Sequence, residues 1–208
     1  MFDNVISTSP YANSHGADGL HLGAGSLYFI LPYMLKSQRC VCLGSGAGFV
    51  PKLMAEAQRT LIKEGCIENT EVYLVDADVG PWGRPEYTNN IENYPEVTVI
   101  KKLTNDAVEM FDSINYLHVD ADHSYNQVLD DLNNYGAKMS GDWAITVHDT
   151  WNNSNGNHPE IGSFHAMKDY ADSNNLYYIN FYIGCGTGLI MPKEVENGYK
   201  EMGVSGLF

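Results

Sequence analysis

Short apolar runs alternating with amphipathic stretches predict an α/β chain: a doubly wound sheet of seven strands, mostly parallel, with an antiparallel hairpin at its end. Three observations carry this. Several β-branched runs stop abruptly in polar residues, as buried parallel strands do where a sheet meets its ligands. The first five runs are separated by segments long enough for crossovers. The last two are joined only by Gly184-Cys185-Gly186-Thr187, which allows a hairpin and no parallel return.

In order, the strands are expected at residues 40–43, 71–75, 97–101, 114–119, 144–147, 176–183 and 188–191. A helix over 50–64 lies between the first two, with Pro51 in its first turn and Gly65 as its stop. After Asp122 a second helix carries Tyr125, Val128, Leu129, Leu132 and Tyr135 on one stripe and closes at Gly136. Ser163 is placed to cap a third, bearing Phe164, Met167, Tyr170 and Ala171. The 208 residues suit a single domain, 1–208, with 1–25 able to cover a site and 193–208 left as a tail.

A net charge of −14 repels phosphate backbones and anionic membranes, so neither a nucleic acid nor a membrane is expected as partner. A neutral or cationic small molecule fits better, although charge that merely maintains solubility reads the same way. Cys40, Cys42, Cys66 and Cys185 show no metal-finger spacing and read as reduced thiols, consistent with a cytoplasmic protein. No signal peptide is evident, and the longest apolar run, residues 27–35, is too short to span a bilayer. The apolar end of the tail, Val204, Leu207 and Phe208, leaves a homo-oligomer open.

The chemistry gathers at two strand ends. Leu117-His118-Val119-Asp120-Ala121-Asp122-His123 and Ile145-Thr146-Val147-His148-Asp149 would set carboxylates and imidazoles side by side, suited to holding a cation or moving a proton. Gly44-Ser45-Gly46-Ala47-Gly48-Phe49 follows the first strand, and its glycines let backbone approach a ligand beside a helix N-terminus. Phe49 stands where the dinucleotide fingerprint needs a third glycine, so a nucleoside without a pyrophosphate fits better. Asp76, at the end of the second strand, could accept both ribose hydroxyls or simply cap a turn. Asp122 is read as a helix cap, His118 as a satisfied core residue, and His148 as bonded either to backbone or to a metal. His15 and His21 belong to a segment that either folds over the site or stays loose, and Trp82 either packs on a base or anchors a loop.

Taken together, "VCLGSGAG", "VYLVDAD", "INYLHVDADHSY" and "ITVHDT" resemble the class I S-adenosylmethionine-dependent methyltransferases, over about residues 40–191. More narrowly they look like the metal-dependent O-methyltransferases: the macrocin-type sugar branch and, more distantly, the catechol and caffeoyl-CoA branch. The resemblance implies a Rossmann-like sheet and an O-methyltransferase acting on a small hydroxylated molecule such as a sugar or glycosylated metabolite. It implies S-adenosylmethionine against Gly44, Ser45, Gly46, Gly48, Asp76, Asn105, Asp106 and Asp120. It also implies a divalent cation, Mg²⁺ or Mn²⁺, on Asp120, His148 and Asp149, with His123 accepting the proton. Cys42 replaces an acidic residue that in relatives holds the amino acid part of the cofactor, and Asp142 replaces a turn glycine. Two other readings stay open: a non-catalytic adenosyl-binding regulatory or assembly protein, and a metal-free methyltransferase with His123 as base. Phe49 and the hairpin argue against a nicotinamide-dependent oxidoreductase. Substrate choice is assigned to residues 151–159, 86–93 and the N-terminal segment.

Overall fold

Strands with apolar residues on both faces must be covered on both, and this sequence supplies helices for each. The computed structural model describes residues 2–44, 46–78, 91, 94–151 and 162–193. Its sheet comprises β1 (Cys40–Leu43), β2 (Val72–Val75), β3 (Val97–Ile100), β4 (Ile114–Val119), β5 (Met139–His148), β6 (Leu176–Phe181) and β7 (Thr187–Pro192), in the order β3-β2-β1-β4-β5-β7-β6. The first five strands pair in parallel, and β7 runs antiparallel between β5 and β6. This is the predicted architecture, hairpin included.

Side-chain alternation divides the core. Cys40, Cys42, Tyr116 and Ala144 pack on one face with Tyr28 of α2 (Leu27–Met34) and with Leu53 and Met54 of α3 (Phe49–Lys63). Val41, Leu43, Leu117, Val119, Ile145 and Val147 pack on the other, against α5 (Tyr125–Gly136) and α6 (Gly162–Ser173) through Leu132, Tyr135, Met167 and Tyr170. Two short helices complete the set: α1 (Asp3–Ser7), and α4 (Thr104–Ala107) after β3.

The differences from expectation lie at boundaries. β5 starts at Met139 rather than 144, because Gly141 at φ +65° and a register shift between Ile114 and Tyr116 let the exposed start of the strand pair. Asp142 lies exposed within that stretch, so it alters only the approach to the buried strand. Ser163 lies inside α6, which already begins at Gly162, so it is not the residue that precedes the helix. The apolar run at 27–35 is largely α2, with Tyr28 and Pro32 buried. No described helix is long and apolar enough to cross a membrane.

The N-terminal segment is tied to the α3 layer by one cation. Lys52 is fully buried, and its Nζ donates to the Thr8 carbonyl and hydroxyl, both at 3.0 Å, and to Ser9 Oγ at 3.3 Å. Burial pushes this amine down to about 8.

Candidate active site

Strand order changes direction between β1 and β4: from β1 the chain builds outward to β3, then returns to lay β4 on the other side of β1. Crevices form at such a switch point. Here the two strand ends are in close contact. Asp120 N donates to Leu43 O at 2.8 Å, and Gly44 N to Val75 O at 2.9 Å. A Cβ at Gly44 would lie 2.3 Å from the Asp120 carbonyl oxygen, so this glycine is required by the close approach of β4 and by its φ of +81°.

Register delivers the polar cluster. His118 pairs with Thr146, and one residue beyond Val119 and Val147 Asp120 comes beside His148. These side chains share the parity of Cys42 and Tyr116, so they project toward the α2 and α3 layer. His148 Nδ1 lies 2.9 Å from Asp120 Oδ1, and its Nε2 donates to the Ser14 carbonyl at 3.1 Å. Asp149 takes a left-handed φ of +53°, uncommon for a residue with a side chain, and its carboxylate meets His123 Nδ1 at 2.7 Å. His123 Nε2 lies 3.4 Å from Asp120 Oδ1, so one imidazole spans both acids. Asp120, His148 and Asp149 each offer a donor atom within 4.8 Å of the others, a spacing that fits one cation.

The charges are strongly coupled. Burial alone would raise the Asp120 carboxyl, but His148 together with His118 and His123 holds it well below the usual carboxylate range. For His123, burial opposes the charged form, yet Asp120 and Asp149 prevail and raise the imidazole to about 10. His148 is also raised: burial again opposes, and Asp120 outweighs it.

The glycine turn leads from this cluster into α3. Gly46–Gly48 forms one tight turn in which Ala47 has φ +60°, and Gly48 precedes α3 at φ +89°, where an added Cβ would press on Ile91 and Lys52. Asp76 directly follows β2, its Oδ1 accepting from Asp78 N at 2.8 Å. Asn105 and Asp106 are exposed on α4, where Asn105 Oδ1 accepts from Asn134 Nδ2 of α5 at 3.4 Å. Cys42 is buried and its thiol donates to Gly44 O at 2.8 Å, so it braces the turn from beneath.

Comparison with known proteins decides the family. A family model described as "Methyltransferase domain" matches residues 41–150, more than half the chain. The chain belongs to this methyltransferase family. No curated protein matches it at the sequence level. Among solved structures, the methyltransferase is similar to the SAH-bound methyltransferase PaMTH1 of Podospora anserina, with a TM-score of 0.64 and 13% identity over 92% of this chain and 88% of that one. It is similar to the O-methyltransferase TomG of Streptomyces achromogenes, involved in tomaymycin synthesis and bound to SAM (TM-score 0.62, 11% identity, 91% and 89% covered). The O-methyltransferase NovP gives 0.61 and 16% identity over 89% and 88%. At such identities the likeness establishes the fold.

Two features of the methyltransferase's site differ from the sequence reading or extend it. His118 is a buried core residue, but only half satisfied: Nδ1 bonds Thr146 Oγ1 at 2.8 Å, while Nε2 has no partner and faces Asp120 Oδ2 at 3.9 Å. His15 is buried in the cluster, its Nε2 3.1 Å from Asp120 Oδ2 and its ring stacked on His148 at 3.9 Å. The available signal was the small residues around it, Ala12, Gly16 and Ala17, which allow close packing. His21 remains exposed, in a bridge with Asp18. Asp122 accepts from Ser124 N at 2.7 Å and so shapes the entry to α5, near its predicted role as a cap. Ser45, Trp82, residues 152–159, the tail beyond Lys193 and most of 86–93 lie outside the described residues.

Proposed function

We propose that this methyltransferase moves the methyl group of S-adenosylmethionine to a hydroxyl of a small molecule, a sugar or glycosylated metabolite, with the help of a divalent cation such as Mg²⁺ or Mn²⁺. The observation that carries the reading is the convergence of Asp120, His123, His148 and Asp149 at adjoining strand ends, beside a glycine turn and an acid ending the next strand. O-methyltransferases among the structural relatives, some holding SAM or SAH, support it, as does a net charge that disfavours polyanionic substrates.

In the reaction the acceptor oxygen bonds the methyl carbon as the carbon–sulfur bond breaks, and the sulfonium leaves as a neutral thioether. Gly44, Gly46 and Gly48 would lie under the nucleoside and Asp76 would hold its ribose, with Asn105 and Asp106 toward the base. A cation on Asp120, His148 and Asp149 would lower the acceptor's pKa and fix its position. His123 holds a proton between two carboxylates. With a cation sharing their negative charge, His123 would release that proton to solvent and could then accept the hydroxyl's, a contribution of about 10²–10⁴-fold. The metal-free alternative is disfavoured for the same reason, since an imidazole raised to about 10 is already protonated at neutral pH.

The test is SAM binding by calorimetry followed by turnover on a panel of hydroxylated acceptors with and without EDTA. Binding together with chelator-sensitive turnover is expected. Absence of SAM binding would remove the reading, and turnover indifferent to EDTA would leave methyl transfer without the cation. SAM binding with no acceptor methylated, unchanged in Asp149→Ala, would favour a regulatory adenosyl-binding protein.

A further inference from the structure

The two oxygens of Asp120 face different sets of imidazoles. Oδ1 meets His148 at 2.9 Å and His123 at 3.4 Å, on the side of Asp149. Oδ2 meets His15 at 3.1 Å and His118 at 3.9 Å, on the buried side beneath the N-terminal segment. We infer a second cation position on that buried side, formed by His15 Nε2, His118 Nε2 and Asp120 Oδ2 and suited to a borderline divalent transition metal such as Zn²⁺. It goes beyond methyl transfer: Asp120 is shared with the proposed catalytic centre, but the inference rests on donor geometry and not on the reaction.

Four observations support it. The three donor atoms lie within 4.8 Å of one another. Each imidazole has its other nitrogen pinned by an acceptor, the arrangement that orients metal-ligating histidines. His15 Nδ1 lies 3.0 Å from both Tyr11 O and Ser14 Oγ, and in the neutral ring with its proton on Nδ1 the lone pair is on Nε2, toward Asp120. His118 Nδ1 lies 2.8 Å from Thr146 Oγ1, which is itself held by Tyr116 Oη at 2.9 Å and Leu117 O at 3.5 Å.

The third observation is the orphaned atom: His118 Nε2 is fully buried, has no partner, and is directed at Asp120. Buried polar atoms rarely stay unpaired, and a cation between the three donors would satisfy it. The fourth is the stacking of His15 on His148 at 3.9 Å and 1°. Both rings present a nitrogen to the same carboxylate, so the stack holds the His15 ring in register with Asp120.

The surroundings suit such an ion. Tyr28 packs edge-on at 4.9 Å from the His118 ring, and Phe49 lies 5.7 Å from that of His15, so the position is walled by aromatics. Two nitrogens and one oxygen favour a softer ion than the oxygen-richer set on the Asp149 side. A metal there would also join the N-terminal segment, through His15, to the middle of the sheet.

The experiment is metal stoichiometry on the full chain, stripped with chelator, desalted and titrated with Zn²⁺ and separately with Co²⁺ as an optical probe. Two equivalents are expected. His15→Ala should lose one of them, together with the absorption of an imidazole-bound Co²⁺, while still binding SAM. Asp149→Asn should lose the other and keep the His15-dependent one. His118→Gln should behave as His15→Ala does; if it fails to fold by circular dichroism, the His15 variant decides alone. A wild-type stoichiometry that His15→Ala leaves unchanged overturns the inference. Failure of the wild type to bind SAM bears on the proposed function and leaves the metal count to be read on its own.

Discussion

Replacing Gly44 with alanine isolates the close approach on which the site depends. Two terms add. An L-residue at φ +81° costs about 1–2 kcal/mol in the left-handed region. The new Cβ would sit 2.3 Å from Asp120 O, 2.6 Å from its carbonyl carbon and 2.8 Å from Ala121 Cα, all backbone atoms that no rotamer change can remove. Relieving the oxygen contact to roughly 3.2 Å requires moving the end of β4 by about 0.9 Å, an overpacking of about 1–3 kcal/mol. The sum, about 2–5 kcal/mol, is a large share of the 5–15 kcal/mol typical of a domain. Gly65 supplies the control. At the C-terminal end of α3 it has φ +72° but nothing within 4 Å of an added Cβ, so Gly65→Ala carries the first term alone. Urea unfolding of both variants, read from the midpoint at unchanged m-value, should place Gly44→Ala about 1–3 kcal/mol below Gly65→Ala. Equal destabilisation of the two would refute the claim that the β1–β4 contact is sterically closed.

Two further predictions concern titration. His123 is raised to about 10 by Asp120 and Asp149 against the opposing effect of burial, so its protonation stabilises the fold fully below pH 6.5 and that contribution is lost as pH rises through about 10. Histidine carbon-bound proton resonances followed by NMR should show His123 still protonated at pH 8 in metal-free protein, and Asp149→Asn should bring its midpoint down; a midpoint near 6.5 in the wild type would contradict the ion pairs. Asp131 is buried in α5, where Gln127 Nε2 donates to its Oδ1 at 3.1 Å, and burial outweighs the hydrogen bonds of Thr104 and Gln127 and raises its carboxyl to about 6. Its contribution is therefore present below pH 3.8 and lost as pH rises through about 6, and Asp131→Asn should gain about 1–2 kcal/mol at pH 7 and about nothing at pH 3, read by thermal or urea unfolding at both.

Strand identity was legible because buried parallel strands leave a strong signal. Val41, Leu117 and Val147 sit in unbroken apolar runs, and the four residues after Ile183 permit only a hairpin. Asp120, His123, His148 and Asp149 were legible for the same reason: each lies at or just past the carboxyl end of such a run, so topology alone brings them together. The start of β5 was not, since its exposed half carries Gly141 and Asp142 and pairs through a bulge that no periodicity marks. Nor was the burial of His15. It depends on Lys52 anchoring Thr8 and Ser9 and on a turn near Ser14 meeting β5, contacts between residues far apart in sequence. The unpaired nitrogen of His118 was hidden too, because strand parity tells which layer a side chain enters and not whether its second ring atom finds a donor or acceptor there.

The Ser14 carbonyl accepts from both His148 Nε2 and Cys185 N, the first of these across 134 residues of chain. One oxygen thus joins the beginning of the chain, the end of β5 and the hairpin that closes the sheet's edge. Contacts of such long range form late, after loop-closure entropy has been met elsewhere. A nascent or clipped chain lacking the β6–β7 hairpin would therefore own every acid and every imidazole of the centre yet lack the Cys185 amide that helps fix the acceptor of His148, and competence would arrive only with the final strands.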